Sequence, residues 1–383
     1  MLIVPEQVCA SPRAYLTPSL FVQGRKCLAR LAWASSDAAL LIPKDPSAIL
    51  GTALHRVQEQ ADRGELSGQG GTFADAARAA FDQAAAEALT LAHPLVRARY
   101  PRLPDLPRFY LQRARSVEMA LERVPAPPHE TTAGGNGPSP RPFVEASLES
   151  SDGLLRGRAD CLDVAGQRIV DYKSGSGSAD GSTVSEDEEL QLLFYAALAR
   201  DNGVTVREGC IVRSDGRRAT CSLPEEAAEA VTDEARILLA EFNAGITSDL
   251  SPDAMAAPSP AACARCGFRA LCSAFWREAT PDWAAQVGSH AEMLVQDVRQ
   301  LGPARSPSIQ VSGRITAGSV PPSVATAQFP LDWVEVSFNP ALLVGGQIRL
   351  LNVLGQKAGG ERRLLGDRER GFVWLLPNRA NAD

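Results

Sequence analysis

Ile169-Val170-Asp171-Tyr172-Lys173-Ser174-Gly175 places an acid and a lysine at alternate positions of one apolar stretch. Side chains two apart on a strand share a face, so Asp171 and Lys173 project together. Upstream, Leu154-Leu155-Arg156-Gly157-Arg158-Ala159-Asp160 reads as a partner strand, with the turn near Ala165-Gly166-Gln167. A hairpin of this kind lets Asp160 meet Asp171 over a shared cation. Oxygen ligands suit a hard ion such as Mg²⁺ or Mn²⁺. A strand ending in Asp-Tyr-Lys-Ser-Gly is also what an ordinary exposed strand end looks like, so the surroundings have to decide.

Three neighbours bear on it. Gly51-Thr52-Ala53-Leu54-His55-Arg56-Val57-Gln58-Glu59 starts a helix on which Leu54 and Val57 face the core, while His55 and Glu59 share another face. Val144-Glu145-Ala146-Ser147-Leu148-Glu149 alternates like a strand and brings Glu145 or Glu149 near the hairpin. Glu189-Leu190-Gln191-Leu192-Leu193-Phe194-Tyr195-Ala196-Ala197-Leu198 is a strong helix with Gln191 and Tyr195 one turn apart. Two acids, a lysine and a nearby imidazole form a set that metal-assisted phosphodiester cleavage requires: the cation neutralises charge building on the phosphate, and the lysine holds or polarises the attacking water.

The order of these elements, Gly51-x-x-x-His55, Glu145, Gly157-x-x-Asp160, Asp171-x-Lys173 and Gln191-x-x-x-Tyr195, resembles the RecB-type branch of the PD-(D/E)XK nucleases over about residues 15 to 280. The resemblance implies an α/β, restriction-endonuclease-like core with a helical cap. It implies that His55, Asp160 and Asp171, with the Tyr172 carbonyl, ligate Mg²⁺ or Mn²⁺, and that Lys173 is the catalytic lysine. Gln191 and Tyr195 would orient the DNA strand or the active-site side chains. Asp171 stands where many relatives in the wider superfamily carry Glu, which is usual for the RecB branch.

The cysteines are a separate signal. Cys263-x₂-Cys266-x₅-Cys272 puts three thiols close together, which calls for a soft metal or a cluster and a fourth ligand. Cys27 is the candidate, in a basic amphipathic helix expected over Ser19 to Arg30. A Cys₄ zinc site uses similar spacings and is the competing reading. One remote cysteine and a tight trio resemble the iron-sulfur nucleases of the AddB type and the CRISPR adaptation nucleases, which implies a [4Fe-4S] cluster stapling the C-terminal end of the core to its N-terminal helix. The remaining thiols, Cys9, Cys161, Cys210 and Cys221, read as scattered and mostly core residues. Eight cysteines without a secretory signal point to a reducing, cytoplasmic compartment, and no run of apolar residues is long enough for a membrane span.

At 383 residues and 45% hydrophobic, the chain suits two domains, expected over 1–290 and 291–383. Its net charge of −6 makes no global case for nucleic acid, so a local basic groove is expected from among Arg25, Lys26, Arg30, Arg97, Arg99, Arg102, Arg113 and Arg115. Helices over residues 73–92 and 107–123 would cap a cleft. Pro125 to Pro142 reads as a flexible connection and Ser174 to Glu186 as a mobile loop. Past about Asp297, strands over 308–315, 331–338, 346–353 and 371–376 suggest a small OB-like barrel. Residues 301–383 carry nine Lys and Arg against six Asp and Glu, and Trp333, Phe338, Phe372 and Trp374 are candidates to stack single-stranded bases.

No Gly-x-x-x-x-Gly-Lys-Ser/Thr motif is present, so any unwinding must come from a partner helicase or defence-system component. The whole reads as a metal-dependent deoxyribonuclease, and the resemblance implies an exonuclease on single-stranded DNA ends, rather than a site-specific endonuclease, in repair, recombination or defence. The rivals are a non-catalytic DNA-end-binding subunit and a zinc-stabilised adaptor.

Overall fold

The computed structural model describes residues 2–5, 8–66, 72–122, 143–173, 183–302, 307–331, 343–358, 361–367 and 371–376. Strand β1 (Leu2–Ile3) opens the chain, and Thr17 then caps α1 (Pro18–Lys26) through a hydrogen bond to Leu20 N–H, with Pro18 in its first turn. The single helix expected over Ser19 to Arg30 is two. Cys27 is extended, with φ −171° and ψ 117°, and ends α1 while starting α2 (Leu28–Ala34). The break sends the two apolar faces into different cores: Phe21 and Val22 pack under the central sheet, Ala29 and Trp33 against the C-terminal cysteines.

Helix α3 (Pro46–Arg63) starts at an Asp45 cap and stops at Gly64, whose φ of 71° suits a residue without a Cβ. It packs with α4 (Phe73–Thr90) and α6 (Phe109–Leu121), while α5 (Pro94–Arg99) links them. These are the expected cap helices, and Leu54, Val57, Phe81, Phe109 and Val117 form their core.

Beneath the cap lies a five-stranded sheet ordered β2 (Phe143–Glu149), β3 (Arg156–Asp163), β4 (Arg168–Lys173), β5 (Glu208–Arg213) and β6 (Arg218–Ser222). Only β4 and β5 run parallel, because α7 (Glu186–Asp201) makes the crossover between them. Cys161, Tyr172, Cys210 and Val212 face the cap. On the other side Ile169 and Ile211 meet Leu192 and Phe194 of α7 and Phe242 of α8 (Glu225–Thr247). The core is thus a sheet with helices on both faces, the α/β architecture expected.

Short helices α9 (Pro260–Cys263), α10 (Ser273–Glu278) and α11 (Ala284–Val287) lead into β7 (Ala291–Leu301), β8 (Ser308–Gly318), β9 (Val324–Pro330), β10 (Gln347–Leu351), β11 (Val353–Ala358), β12 (Glu361–Gly366) and β13 (Phe372–Leu375). They form a curled, barrel-like eight-stranded sheet ordered β1-β13-β10-β7-β8-β9-β12-β11. Its interior holds Met293, Val295, Ile309, Val311, Leu350 and Val373.

The sheet is larger than the four or five strands expected. It begins at Ala291 rather than past Asp297, gains the N-terminal strand through parallel pairing of Leu2 with Trp374, and includes β9 and the β11–β12 hairpin. In β9 the strand-favouring Val324, Thr326 and Phe329 are interspersed with Ala325, Ala327 and Gln328, and the strand ends in Pro330, which weakens its strand signal. The expected strand over 331–338, with Trp333 and Phe338, lies outside the described residues apart from Leu331, as do Pro125 to Pro142 and most of the Ser174 to Glu186 loop.

Candidate active site

The β3–β4 ladder pairs Asp163 with Arg168, Leu162 with Ile169 and Cys161 with Val170, and one step further on Asp160 stands opposite Asp171. There the strands part, since β4 continues alongside β5 until Lys173 meets Arg213. In place of the next ladder bond, Tyr172 N–H donates to Asp160 Oδ2 at 2.7 Å. This gap in the sheet gathers the two carboxylates.

His55 comes in from α3, its Nδ1 3.5 Å from Asp160 Oδ2. Burial pulls its pKa down, but the hydrogen bond and charge of Asp160, with the charge of Asp171, outweigh this and raise it. Asp171 is buried; desolvation pushes its carboxyl up, Lys173 offsets this, and the facing charge of Asp160 adds to the rise. Its Oδ2 accepts no well-formed hydrogen bond, and Lys173 Nζ lies 2.8 Å away. A buried, under-satisfied carboxylate oxygen beside a second carboxylate and an imidazole is a donor set that fits a hard divalent cation.

Lys173 is held from both sides, because its Nζ also donates to Gln191 Oε1 at 2.9 Å. Gln191 therefore orients the lysine. Tyr195 does something else: its hydroxyl donates to the Arg158 carbonyl at 3.0 Å and its ring lies over Gly157, where an added Cβ would come within 2.7 Å of Cε1. It anchors β3 just ahead of Asp160. We expect Gln191→Ala to lower the cleavage rate about tenfold or more while the denaturation midpoint barely moves; an unchanged rate with intact stability would remove Gln191 from the site.

Of the surrounding groups, Glu145, Glu59 and Glu149 were expected near the hairpin, whereas Asp62, Glu188 and Arg213 were not. Glu145 is opposite Asp160 on β2, with a φ of 53° that is rare for a side-chain-bearing residue, and it pairs with Arg158. Burial, with the charges of Asp160 and Glu59, raises its pKa, and Arg158 and His55 oppose the rise. Glu59 is buried on α3 between Arg56 and Arg63, whereas Glu149 pairs with Arg156 away from these groups. Asp62 accepts from the Tyr172 hydroxyl at 3.2 Å. Fully buried Arg213 binds Glu188 through two nitrogens, at 2.8 and 3.1 Å, and so ties the start of α7 to β5.

The expected basic groove is not what these arginines form. Arg25 pairs with Glu186 and Glu234, Lys26 with Asp187, Arg102 with Asp105 and Arg113 with Asp82. Arg30 is buried and donates to the Ala262 carbonyl, and Arg99 donates to the Gly371 carbonyl while covering the Phe372 ring. Arg97 and Arg115 are left without an ion pair among the described residues. Trp374 is buried and offers no free face for base stacking, and Arg99 covers one face of the half-buried Phe372.

Cys27, Cys263, Cys266 and Cys272 line one small apolar cavity with Trp33 and Phe275. All four are free thiols. Burial raises the pKa of Cys263 and lifts that of Cys272 to about 12. Ala257 N–H donates to Cys27 Sγ and Phe275 N–H to Cys272 Sγ, both at 3.4 Å. Among the described residues, no three His, Cys, Asp or Glu side chains are drawn together tightly enough to make a preformed ion cage. No helix of the described residues is long and apolar enough to cross a membrane.

The family model described as the PD-(D/E)XK nuclease superfamily matches residues 16–273. No curated protein matches the chain. Members of this superfamily are generally nucleases and typically use Mg²⁺ or Mn²⁺. The match runs from α1 through the hairpin of Asp160 and Asp171 to the cysteine segment, and the chain belongs to the PD-(D/E)XK nuclease superfamily.

Proposed function

We propose that this chain is a metal-dependent DNA nuclease acting as an exonuclease on single-stranded ends. The observation that carries the reading is the convergence of His55, Asp160, Asp171 and Lys173 from three elements, with Gln191 holding the lysine. His55, Asp160, Asp171 and the Tyr172 carbonyl would hold Mg²⁺ or Mn²⁺, which supplies charge neutralisation at the phosphate and an acidified water. Lys173 orients the attacking water and donates hydrogen bonds to charge developing on the phosphate. Gln191 holds the ammonium beside Asp171 from the other side. Tyr195 fixes β3 so that Asp160 stays opposite Asp171.

The four cysteines around one cavity support a [4Fe-4S] cluster at Cys27, Cys263, Cys266 and Cys272. Bound there, it would tie the α1–α2 break to the segment leading into the barrel. Two N–H groups already point at sulfurs, as thiolate ligands require. Cys266→Ser should lose the brown colour and iron of anaerobically purified protein and most of its soluble yield; a colourless, zinc-loaded wild type would contradict the cluster. The protein would work in the cytoplasm in repair, recombination or defence, beside a helicase or defence-system partner that supplies single strands. We also place the domain boundary near residue 290.

The test is a time course on 5′- and 3′-labelled single-stranded and duplex DNA with Mg²⁺ or Mn²⁺, using cluster-loaded protein. Progressive shortening of single strands from one end is the expected result. Tight end binding without cleavage would favour a non-catalytic end-binding subunit.

A further inference from the structure

Beside the paired carboxylates of the hairpin, three arginines share two buried acids. Glu59 on α3 meets Arg56 Nη1 at 2.9 Å and Arg63 Nη1 at 2.7 Å, and Glu145 on β2 meets Arg158 Nε. Both glutamate side chains are only 10% exposed, whereas the arginine side chains are 54%, 39% and 66% exposed in the same order. The acids are roots and the guanidinium groups stand in solvent. Each guanidinium has five N–H donors, and these ion pairs engage only one apiece, so most of the fork faces outward.

Stability is a poor reason for this arrangement. Ion pairs with half-exposed partners contribute about 0–1 kcal/mol, and the pair on β2 is kept although Glu145 holds a φ of 53°. The position is informative. Arg158 lies on the same face of β3 as Asp160, two residues away, and Arg56 follows His55 directly. Helix α3 packs on β2, the two elements that carry the Glu59 and Glu145 roots. Three cations on two anions leave the rim one positive charge in surplus beside an interior that is acidic.

We propose that Arg56, Arg63 and Arg158 form a phosphate-binding rim that holds the nucleic-acid backbone on either side of the bond to be cut. The inference rests on the nuclease reading of the Asp160–Asp171 site and adds the residues that deliver the strand to it. Rooting each guanidinium on a buried carboxylate limits its rotamers before the substrate arrives, so less freedom is lost on binding.

The experiment measures affinity for an end-labelled single-stranded oligonucleotide across a salt series, with Ca²⁺ replacing Mg²⁺. Every phosphate that an arginine no longer neutralises lowers the slope of log K against log salt by about 0.7 on a single strand, so Arg56→Gln/Arg63→Gln/Arg158→Gln should lower it by about 2. In Mg²⁺ the same variant should raise KM about tenfold with kcat within about twofold. The triple Lys variant should restore the slope, because it keeps the charge, and a purely structural role would give no such rescue. If the triple Gln variant does not fold, Arg158→Gln alone should lose about 0.7. A wild-type slope and KM in the Gln variants of an enzyme that cuts DNA would overturn the rim and leave the nuclease reading standing. A wild type that neither binds nor cuts overturns the reading, and the rim with it.

Discussion

Asp171→Ala should lower metal-dependent cleavage by about 10³-fold or more while the protein remains folded. The cation contributes several kcal/mol of transition-state stabilisation, and about 4 kcal/mol corresponds to three orders of magnitude in rate. Among the proposed ligands Asp171 is the one water would replace least well, because it is buried. Folding should survive, since Lys173 keeps its bond to Gln191 and a half-open path to solvent. A second readout follows. Mn²⁺ at a hundredfold excess over its Kd stabilises a binding protein by about 2.7 kcal/mol, worth about 3 °C in Tm for a chain of this size. That shift should be present in wild type and absent in Asp171→Ala; an equal shift in both would place the cation elsewhere.

Arg213→Ala should cost about 3–5 kcal/mol, the range for breaking a buried ion pair from one side. Arg213 is fully buried and also donates to the Thr183 carbonyl at 3.1 Å, so its loss strands Glu188 and frees the start of α7. Ser185 still caps the helix, and its N–H still donates to Glu188 Oε2 at 2.9 Å, which keeps the loss from being larger. Glu188 is held below its usual pKa despite its burial, with Arg213 and the Ser185 groups responsible. Because α7 carries Gln191, activity should fall with stability. Arg213→Met/Glu188→Leu should recover most of the stability, since replacing both partners with apolar groups leaves no buried charge unpaired. Denaturant titration of the three proteins decides it, and a change below 1 kcal/mol in Arg213→Ala would show that the pair does not anchor the helix.

The placement of the candidate site residues was legible where it follows a local period. Asp171 and Lys173 are two apart on a strand, Gln191 and Tyr195 four apart on a helix, and His55 falls on a helix that Leu54 and Val57 orient. Tyr195 shows the limit of such reasoning. Its spacing puts it near Gln191, yet its hydroxyl is engaged by a β3 carbonyl rather than by an active-site side chain. Glu145 and Arg213 act through partners distant in sequence and, in Glu145, through an unusual backbone angle that no alternation pattern reveals.

The arginines show the same limit. Arg25 and Lys26 look free as letters but face acids of α7 and α8 in space, while Arg56, Arg63 and Arg158 looked ordinary and are rooted on the buried acids Glu59 and Glu145. Cys27 was legible as a ligand candidate but not as a helix break, because the residues on both sides of it are good helix formers and only packing into two cores separates them. The barrel was underestimated for a similar reason: β1 and β13 pair across nearly the whole chain, from Leu2 to Trp374.

The most direct measurement is release of end label from single-stranded DNA by anaerobically purified protein in Mg²⁺ or Mn²⁺, beside Asp171→Ala and a chelator control. The account predicts rapid release by wild type alone, abolished by the chelator and by the substitution. Release that persists in Asp171→Ala, or none from folded, metal-supplied wild type, would contradict it.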